Sequence, residues 1–476
     1  MSKPNIVLIN CDDLGYGDIG CYGSKLNRTP AVDHMAENGL LFTDFYMASP
    51  ICTPSRGAMM TGCYPTRIGF GTFEGNGVLF PGQGMGLSQS EVTIADVLKS
   101  GGYRTKLIGK WHCGDQPGFL PLDHGFDEFY GLPYSNDLGV QKDPYEKFNL
   151  PHHRKKVPLP LMEDSEVIEE QPDQCSLTER YVERATSFIR KNKDRPFFLY
   201  MAHMHVHLPL YAPEVFVKNS QNGDYGACVE EIDWSTKCIL HELEKQGLTD
   251  NTIVIFTSDN GSNARYGGSN APLSGAKLTT WEGGLRVPCV FYWPGHIRKG
   301  VCKDIVSSID FLPTFAKLCG IDYQSKNKID GMDFSSLLFD ENAKSPRDTF
   351  YYYYGFDLHG VRWGDWKLRV REFAGYDYDL EHMEKGVKTK FDDMCELYHL
   401  REDVAEEHDV SKDHPDIVER MQEMLAECRQ DLGDQAKGFY GDNVRPIGRV
   451  ENPVPLTEYD ENHPYIIKMY DREDIG

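Results

Sequence analysis

Four short stretches of this chain carry side chains that can do chemistry together. "NIVLINCDD" ends in two adjacent carboxylates, Asp12 and Asp13, and "NTIVIFTSDNG" ends in Asp259 and Asn260. "ICTPSRGAMM" sets Cys52 ahead of Pro54 and Arg56, and "GKWHCG" sets Lys110 two residues before His112. Three carboxylates and an amide oxygen form a hard, oxygen-rich donor set, which favours Ca2+ or Mg2+ over zinc. Taken singly, DD and DN are ordinary turn pairs. Here each follows a short apolar run that reads as a buried strand, and in open parallel sheets ligand groups gather beyond the carboxyl ends of strands.

The cysteine stretch has its own logic. Pro54 suits the first turn of a helix, where its missing N–H costs little. The free amides and the dipole at that end favour an anion, and Arg56, one turn on, offers a planar fork of donors. Alternation along an extended strand would put Lys110 and His112 on one side, an arrangement suited to anion binding with proton transfer. "MAHMHVHLP" repeats histidine at 203, 205 and 207. If extended, these share a face and form either a transition-metal set or one functional histidine with two packed neighbours. Lys277, in "SGAKLTTWEGGLRVP", reads either as solvent-facing or as a further cation for the site. A divalent cation, an anion-binding helix end, an arginine, two lysines and histidines make equipment for transfer of a phosphoryl-like or sulfuryl group.

These groups need a scaffold, and the chain alternates helical and strand patterns to supply one. "SEVTIADVLKSGGYRTKLIGKWH" reads as a Ser-capped helix closed at Gly101-Gly102 and followed by a strand. "LTERYVERATSFIRKNKDRPFFLYMAH" and "YGACVEEIDWSTKCILHELEKQGLTDNTIVIFTSDNG" repeat the theme. The expectation is an α/β fold with a mixed, mostly parallel sheet sandwiched by helices. Residues 133–176 break the rhythm with prolines and a basic cluster, His152 to Lys156, and read as an excursion holding one hairpin. Beyond residue 345 the pattern changes. "TFYYYYGFDLHGVRWGDWKLRVREF" reads as antiparallel strands with a tight turn near Gly364-Asp365, and "HPDIVERMQEMLAECRQDL" as an amphipathic helix. A catalytic domain over 1–345 and a smaller α+β domain over 346–476, ending in an extended tail, are therefore expected.

Composition bounds the partners. The chain has 476 residues and a formal net charge of -23, which disfavours a nucleic-acid or anionic-membrane surface. No apolar stretch is long enough to span a bilayer, and the first residues lack the pattern of a secretory signal. Thirteen cysteines without CxxC pairs fit a reducing compartment. The cytoplasm is expected, or the periplasm or exterior if a leader has been removed.

Cys52-Thr53-Pro54-Ser55-Arg56 followed by "GAMMTG" resembles the signature of the type I, formylglycine-dependent sulfatases. "GYRTKLIGKWHCG", "HGFDEFYGLPYSNDLG", "TSDNG" and "TTWEGGLRVPCVFYWPG" are similar to further blocks of that family in the same order, on the branch of arylsulfatase A and galactosamine-6-sulfatase. The resemblance implies an alkaline-phosphatase-like fold and hydrolysis of sulfate monoesters, whether aryl sulfates or sulfated sugars. It implies that a maturation enzyme converts Cys52 to Cα-formylglycine, whose hydrate attacks sulfur. It also implies a Ca2+ site (Mg2+ being the alternative) of Asp12, Asp13, Asp259, Asn260 and the Cys52-derived group. Lys110, Lys277 and Ser135 would hold sulfate oxygens, Arg56 would orient the hydrate, and Asp259 would help take its proton. His207, two before Pro209, would protonate the leaving group with Lys277, and His112 would free the product by taking a proton. Small or terminal sulfate esters are the substrates expected of so acidic a chain. Two rival readings are a phosphonate monoester or phosphodiester hydrolase on the same scaffold, and a non-catalytic sulfoglycan-binding protein.

Overall fold

The computed structural model describes residues 3–140, 157–323, 325–373 and 391–465. Its centre is a ten-stranded sheet. In chain order the strands are β1 (Asn5–Cys11), β2 (Leu40–Phe42), β3 (Arg104–Lys110), β4 (Glu128–Leu132), β5 (Pro160–Glu163), β6 (Glu166–Glu170), β7 (Phe197–Ala202), β8 (Thr252–Ser258), β9 (Cys289–Tyr292) and β10 (Gly300–Cys302). They lie side by side as β10-β2-β9-β8-β1-β7-β3-β4-β5-β6. The middle run β8-β1-β7-β3-β4 is parallel throughout. β9 and the β5–β6 hairpin join it antiparallel, which makes the sheet mixed, as expected. β1, β7 and β8 are buried along their whole length, which is why they read as unbroken apolar runs rather than as alternation.

Helices α1 (Pro30–Asn38), α2 (Cys52–Thr61), α3 (Ile94–Ser100), α4 (Leu177–Lys191) and α5 (Gly223–Lys245) belong to this unit. One apolar cluster joins β1 and β7 residues to α4 and α5, and another joins them to α2 and α3, so both faces of the sheet are covered. The cap of α3 differs from the Ser-cap reading. Thr93 accepts from the Asp96 amide while Asp96 reaches back to the Thr93 N–H, a reciprocal capping box.

The second sheet is antiparallel, β11 (Thr349–Tyr354), β12 (Asp357–Trp363), β13 (Trp366–Phe373) and β14 (Phe391–His399), in sequential order. Its central turn is at Gly364, φ 56°, as the sequence suggests. Helix α6 (Pro415–Leu432) packs Met421, Leu425 and Cys428 on the sheet residues Val361, Leu368 and Leu397. That cluster also takes in Tyr46, Ala58 and Leu285 from the first unit. The segment after α6 then runs back over the first unit. Arg445 pairs with Glu91 at 2.6 Å, Gly448–Arg449 pairs antiparallel with Met85–Gly86, and the Val454 amide donates to Gln116 Oε1 at 2.9 Å. The basic cluster His152 to Lys156 lies outside the described residues.

Candidate active site

Register alone brings the carboxylates together. β1 and β8 are hydrogen-bonded neighbours with Cys11 opposite Ser258, so Asp12-Asp13 and Asp259-Asn260 emerge side by side. Asp13 sits at φ 60°, and its amide donates to Asp259 Oδ1 at 3.2 Å. Asn260 Nδ2 donates to Asp13 Oδ1 at 2.7 Å. That fixes the amide orientation and leaves the buried Asn260 Oδ1 without a partner. A buried lone pair with nothing to accept from is costly.

Helix α2 delivers Cys52 to this cluster as its first residue, with Ile51 at the cap and no side chain bonding the first amides. Cys52 Sγ lies 3.4 Å from Asp12 Oδ1, and ligand atoms of Asp12, Asp13 and Cys52 all fall within 4.8 Å of one another. Every residue of α2 is buried. Arg56 ties it down, with Nε donating to Asp259 Oδ2 at 2.8 Å and Nη1 to the Lys110 carbonyl at 2.9 Å. Ser55 Oγ donates to the Asp259 carbonyl, a contact that the sequence did not single out.

Two lysines face the same carboxylates. Lys110 Nζ pairs with Asp12 Oδ2 and lies 3.2 Å from Ser135 Oγ. Lys277 Nζ donates to Asp13 Oδ2 at 2.8 Å. Gly109 makes the Lys110 strand end possible. Its φ is 106°, and a Cβ there would lie 1.8 Å from the Ala202 carbonyl. Ser135 Oγ is 3.4 Å from His207 Nδ1, which also faces the Leu208 carbonyl at 2.6 Å. His207 Nε2 lies 3.9 Å from Asp13 Oδ2.

His112 reaches its place differently from the strand reading. β3 ends at Lys110, and His112 adopts φ 61°, so alternation does not orient it. Its Nε2 faces the Leu79 carbonyl at 3.1 Å while the buried Nδ1 has no partner. A carbonyl can only accept, so the neutral ring keeps its proton on Nε2 and presents the Nδ1 lone pair. The histidine triplet also separates. Beyond β7, His203 Nε2 contacts Ser235 Oγ at 3.2 Å, and His205 Nε2 lies 3.6 Å from Glu231 Oε2, both partners being on α5. His207 alone turns into the site, so the three do not form a shared metal set.

The electrostatics follow from burial and pairing. Burial would raise Asp12, but Lys110, His207 and Arg56 outweigh it and hold the carboxyl well below the usual range. Burial and the neighbouring Asp12 push Asp259 up to about 7, with Arg56 opposing. Burial disfavours charge on Lys110 and Lys277, yet Asp12 and Asp13 respectively hold them above the ordinary lysine value. Burial, with Lys110, keeps His112 well below 6.5, and burial, with Lys277, lowers His207. Asp12 pairs with Lys110, Asp13 with Lys277 and Asp259 with Arg56. Such a site can take up a cation and an anion together without leaving a large uncompensated charge.

This geometry joins a fold to a family. The family model described as Sulfatase matches residues 4–321, and the one described as N-sulphoglucosamine sulphohydrolase, C-terminal, matches residues 276–431. The chain belongs to the sulfatase family. It is a sulfuric ester hydrolase, and its mixed sheet with a second antiparallel sheet is the alkaline-phosphatase-like architecture. Arylsulfatase A from Homo sapiens is 41% identical over 372 residues, covering 75% of this chain and 72% of that protein. N-acetylgalactosamine-6-sulfatase from Rattus norvegicus is 36% identical over 457 residues, covering 90% and 86%. The crystal structure of PsFucS1 sulfatase from Pseudoalteromonas sp. superposes with a TM-score of 0.80 at 27% identity, covering 94% of this chain and 92% of that one. The phosphonate monoester hydrolase of Agrobacterium radiobacter shares the fold, at 18% identity and a TM-score of 0.59. No helix of the described residues is long and apolar enough to cross a membrane.

Proposed function

We propose that this sulfatase cleaves small or terminal sulfate monoesters at the cluster of Cys52, Arg56, Lys110, His112, Ser135, His207 and Lys277, beside a divalent-cation site. The observation that carries the reading is the convergence of Lys110, Lys277 and the open start of α2 on Asp12, Asp13 and Cys52. Asp12, Asp13, Asp259 and Asn260 suit Ca2+, because the donor set is all oxygen and Asn260 Oδ1 is buried without a partner. Mg2+ is the second candidate. Bound there, the cation would supply Lewis-acid activation and charge neutralisation. Cα-formylglycine, formed from Cys52 by a maturation enzyme, would supply the nucleophile as its hydrate.

The chain's own residues do the rest. Lys110, Lys277 and Ser135 bind sulfate oxygens and neutralise charge as the S–O bond breaks. Arg56 holds the start of α2 against Asp259. Asp259, held by Arg56 and the Asp13 amide, would help take a proton from the group at Cys52. His207 faces the Asp13 side, where with Lys277 it would deliver a proton to the leaving oxygen. His112, neutral with its buried Nδ1 lone pair unpartnered, is the base that releases product.

The relatives named for aryl sulfates and for an N-acetylgalactosamine 6-sulfate support a substrate of either class, and net charge favours small or terminal esters over long polyanions. The thirteen cysteines, none of them in a disulfide, support a reducing setting such as the cytoplasm. We place the boundary between the two domains near residue 345, just ahead of β11. The deciding experiment is the mass of the proteolytic peptide spanning Cys52, followed by turnover of an aryl sulfate against matched phosphomono- and diesters. Loss of sulfur with gain of an aldehyde oxygen, together with a preference for the sulfate, is expected. An intact thiol with no aldehyde-reactive fraction would overturn the nucleophile, and a large preference for the diester would overturn the substrate class.

A further inference from the structure

The second sheet reaches the segment that follows Lys277 through one fully buried lysine. Lys367, on β13, has no exposed surface, and three oxygens surround its ammonium. It donates to the Thr280 carbonyl at 3.0 Å and to Glu282 Oε1 at 3.0 Å, and lies 2.7 Å from Glu406 Oε1. Glu406 in turn accepts the Glu282 amide at 2.8 Å through its other oxygen. Glu282 is further bonded by Tyr352 Oη at 2.7 Å and by Tyr46. Two of the atoms gripped here are main chain, the Thr280 carbonyl and the Glu282 N–H. Both belong to the turn that leaves Lys277.

That turn is short and held at each end. The Lys277 amide donates to the Ser262 carbonyl, and the Leu278 amide to the Pro50 carbonyl beside the start of α2, both at 3.1 Å. Leu278 adopts φ 71°, an arrangement that a leucine keeps only when its surroundings impose it. The Thr279 amide closes back on the Ala276 carbonyl at 3.0 Å. The next fixed point is the Thr280 carbonyl, on Lys367. A buried ion network of this kind adds little stability over a well-packed apolar one, because desolvation cancels much of the attraction. What an ammonium supplies that an apolar side chain cannot is a fixed position for the oxygens around it.

We propose that Lys367, backed by Glu406, is a positioning residue for catalysis: it fixes the Thr280–Glu282 backbone so that the Lys277 ammonium stays on the leaving-group side of the site. This rests on the role given to Lys277 above. The second domain is then a working part of the catalytic apparatus rather than a cover for the first.

Leaving-group dependence tests the idea. A residue that helps the departing oxygen matters more as that oxygen becomes more basic, whereas a loss of folded enzyme lowers every rate by one factor. Lys367→Met, Glu406→Gln and the reference Lys277→Ala are compared with the parent on 4-nitrophenyl sulfate and phenyl sulfate, with rates expressed per formylglycine-bearing chain. We expect K367M to lower kcat by roughly 10- to 100-fold on phenyl sulfate, several-fold more than on 4-nitrophenyl sulfate, with KM changing far less. E406Q should show the same skew at smaller size, and it carries the test if K367M fails to fold. K277A should be more skewed than either. Equal losses on both substrates in K367M and E406Q, beside a skewed K277A, would overturn the positioning role alone. An unskewed K277A would overturn the reading of Lys277, and the inference with it.

Discussion

Arg56 Nε lies 2.8 Å from Asp259 Oδ2, so the helix that begins with Cys52 is fastened to the end of a central strand. The guanidinium is buried, and its fork also reaches the Lys110 carbonyl. An ammonium cannot reproduce that planar pair of contacts. Arg56→Lys should lower kcat/KM by about 100-fold and destabilise the fold by about 1–3 kcal/mol. Steady-state kinetics and urea unfolding check this; unchanged kinetics would remove Arg56 from the site.

Asn260 Oδ1, buried without a partner, should make cation binding visible as stability. Saturating Ca2+ at a hundred times its Kd should add about 2.7 kcal/mol, lost on chelation with EGTA and regained when Ca2+ is restored. Asn260→Ala should need roughly ten times more Ca2+ for the same rise in Tm, the equivalent of one good ligand lost. Thermal scans across a Ca2+ titration decide it, and identical titrations for parent and variant would count against Asn260 as a ligand.

The histidines set a pH expectation. Burial and the neighbouring lysines lower both His112 and His207. A base works in its neutral form, and lowering its pKa keeps that form down to more acidic pH. The His112 limb of kcat should therefore fall on acidification below 6.5, not around it. A profile of kcat against pH, measured with product release limiting, whose acid limb is centred at 6.5 or above would contradict the neutral His112 derived from its surroundings.

Much of this site is legible in the sequence because the groups sit where strands and helices end. Asp12-Asp13 and Asp259-Asn260 close continuous apolar runs, and Cys52-x-Pro54-x-Arg56 opens a helix. His112 and the histidine triplet were harder. Period-2 alternation assumes an extended chain, but the strands stop at Lys110 and Ala202, and the turns that follow send His203 and His205 toward α5. Lys367 carried no signal at all. "WKLRVRE" alternates polar with apolar residues, which normally marks a solvated strand face. Yet Lys367 and Arg369 are buried, at 0% and 1% exposure, because that polar face meets the segment of Thr280, Trp281 and Glu282.

Glu282 gives an acid-stability prediction. Burial opposes its ionisation, but Lys367, Arg286 and Arg362 prevail and hold it down to about 2. Its folded-state value is below its unfolded one, so its stabilising effect is present above about pH 4.5 and lost as pH falls through 2. Glu282→Gln should cost about 3–5 kcal/mol near pH 7, and this deficit should shrink steadily between pH 4.5 and 2. Urea midpoints at pH 7 and pH 3 measure it, and an equal deficit at both would refute the assignment of charge.

The segment after α6, which returns over the ten-stranded unit, bears on the order in which a working enzyme is made. Leu79, whose carbonyl fixes the His112 ring, lies close along the chain to Met85–Gly86, which pair with Gly448–Arg449. During translation the early loop must wait, one edge unpaired, while both sheets and α6 are synthesised. Its last hydrogen bonds can form only after residue 449 has left the ribosome. A nascent chain halted short of that point would hold Cys52, the carboxylates and the lysines, and still lack the strand pairing that follows Leu79 and its contact with His112.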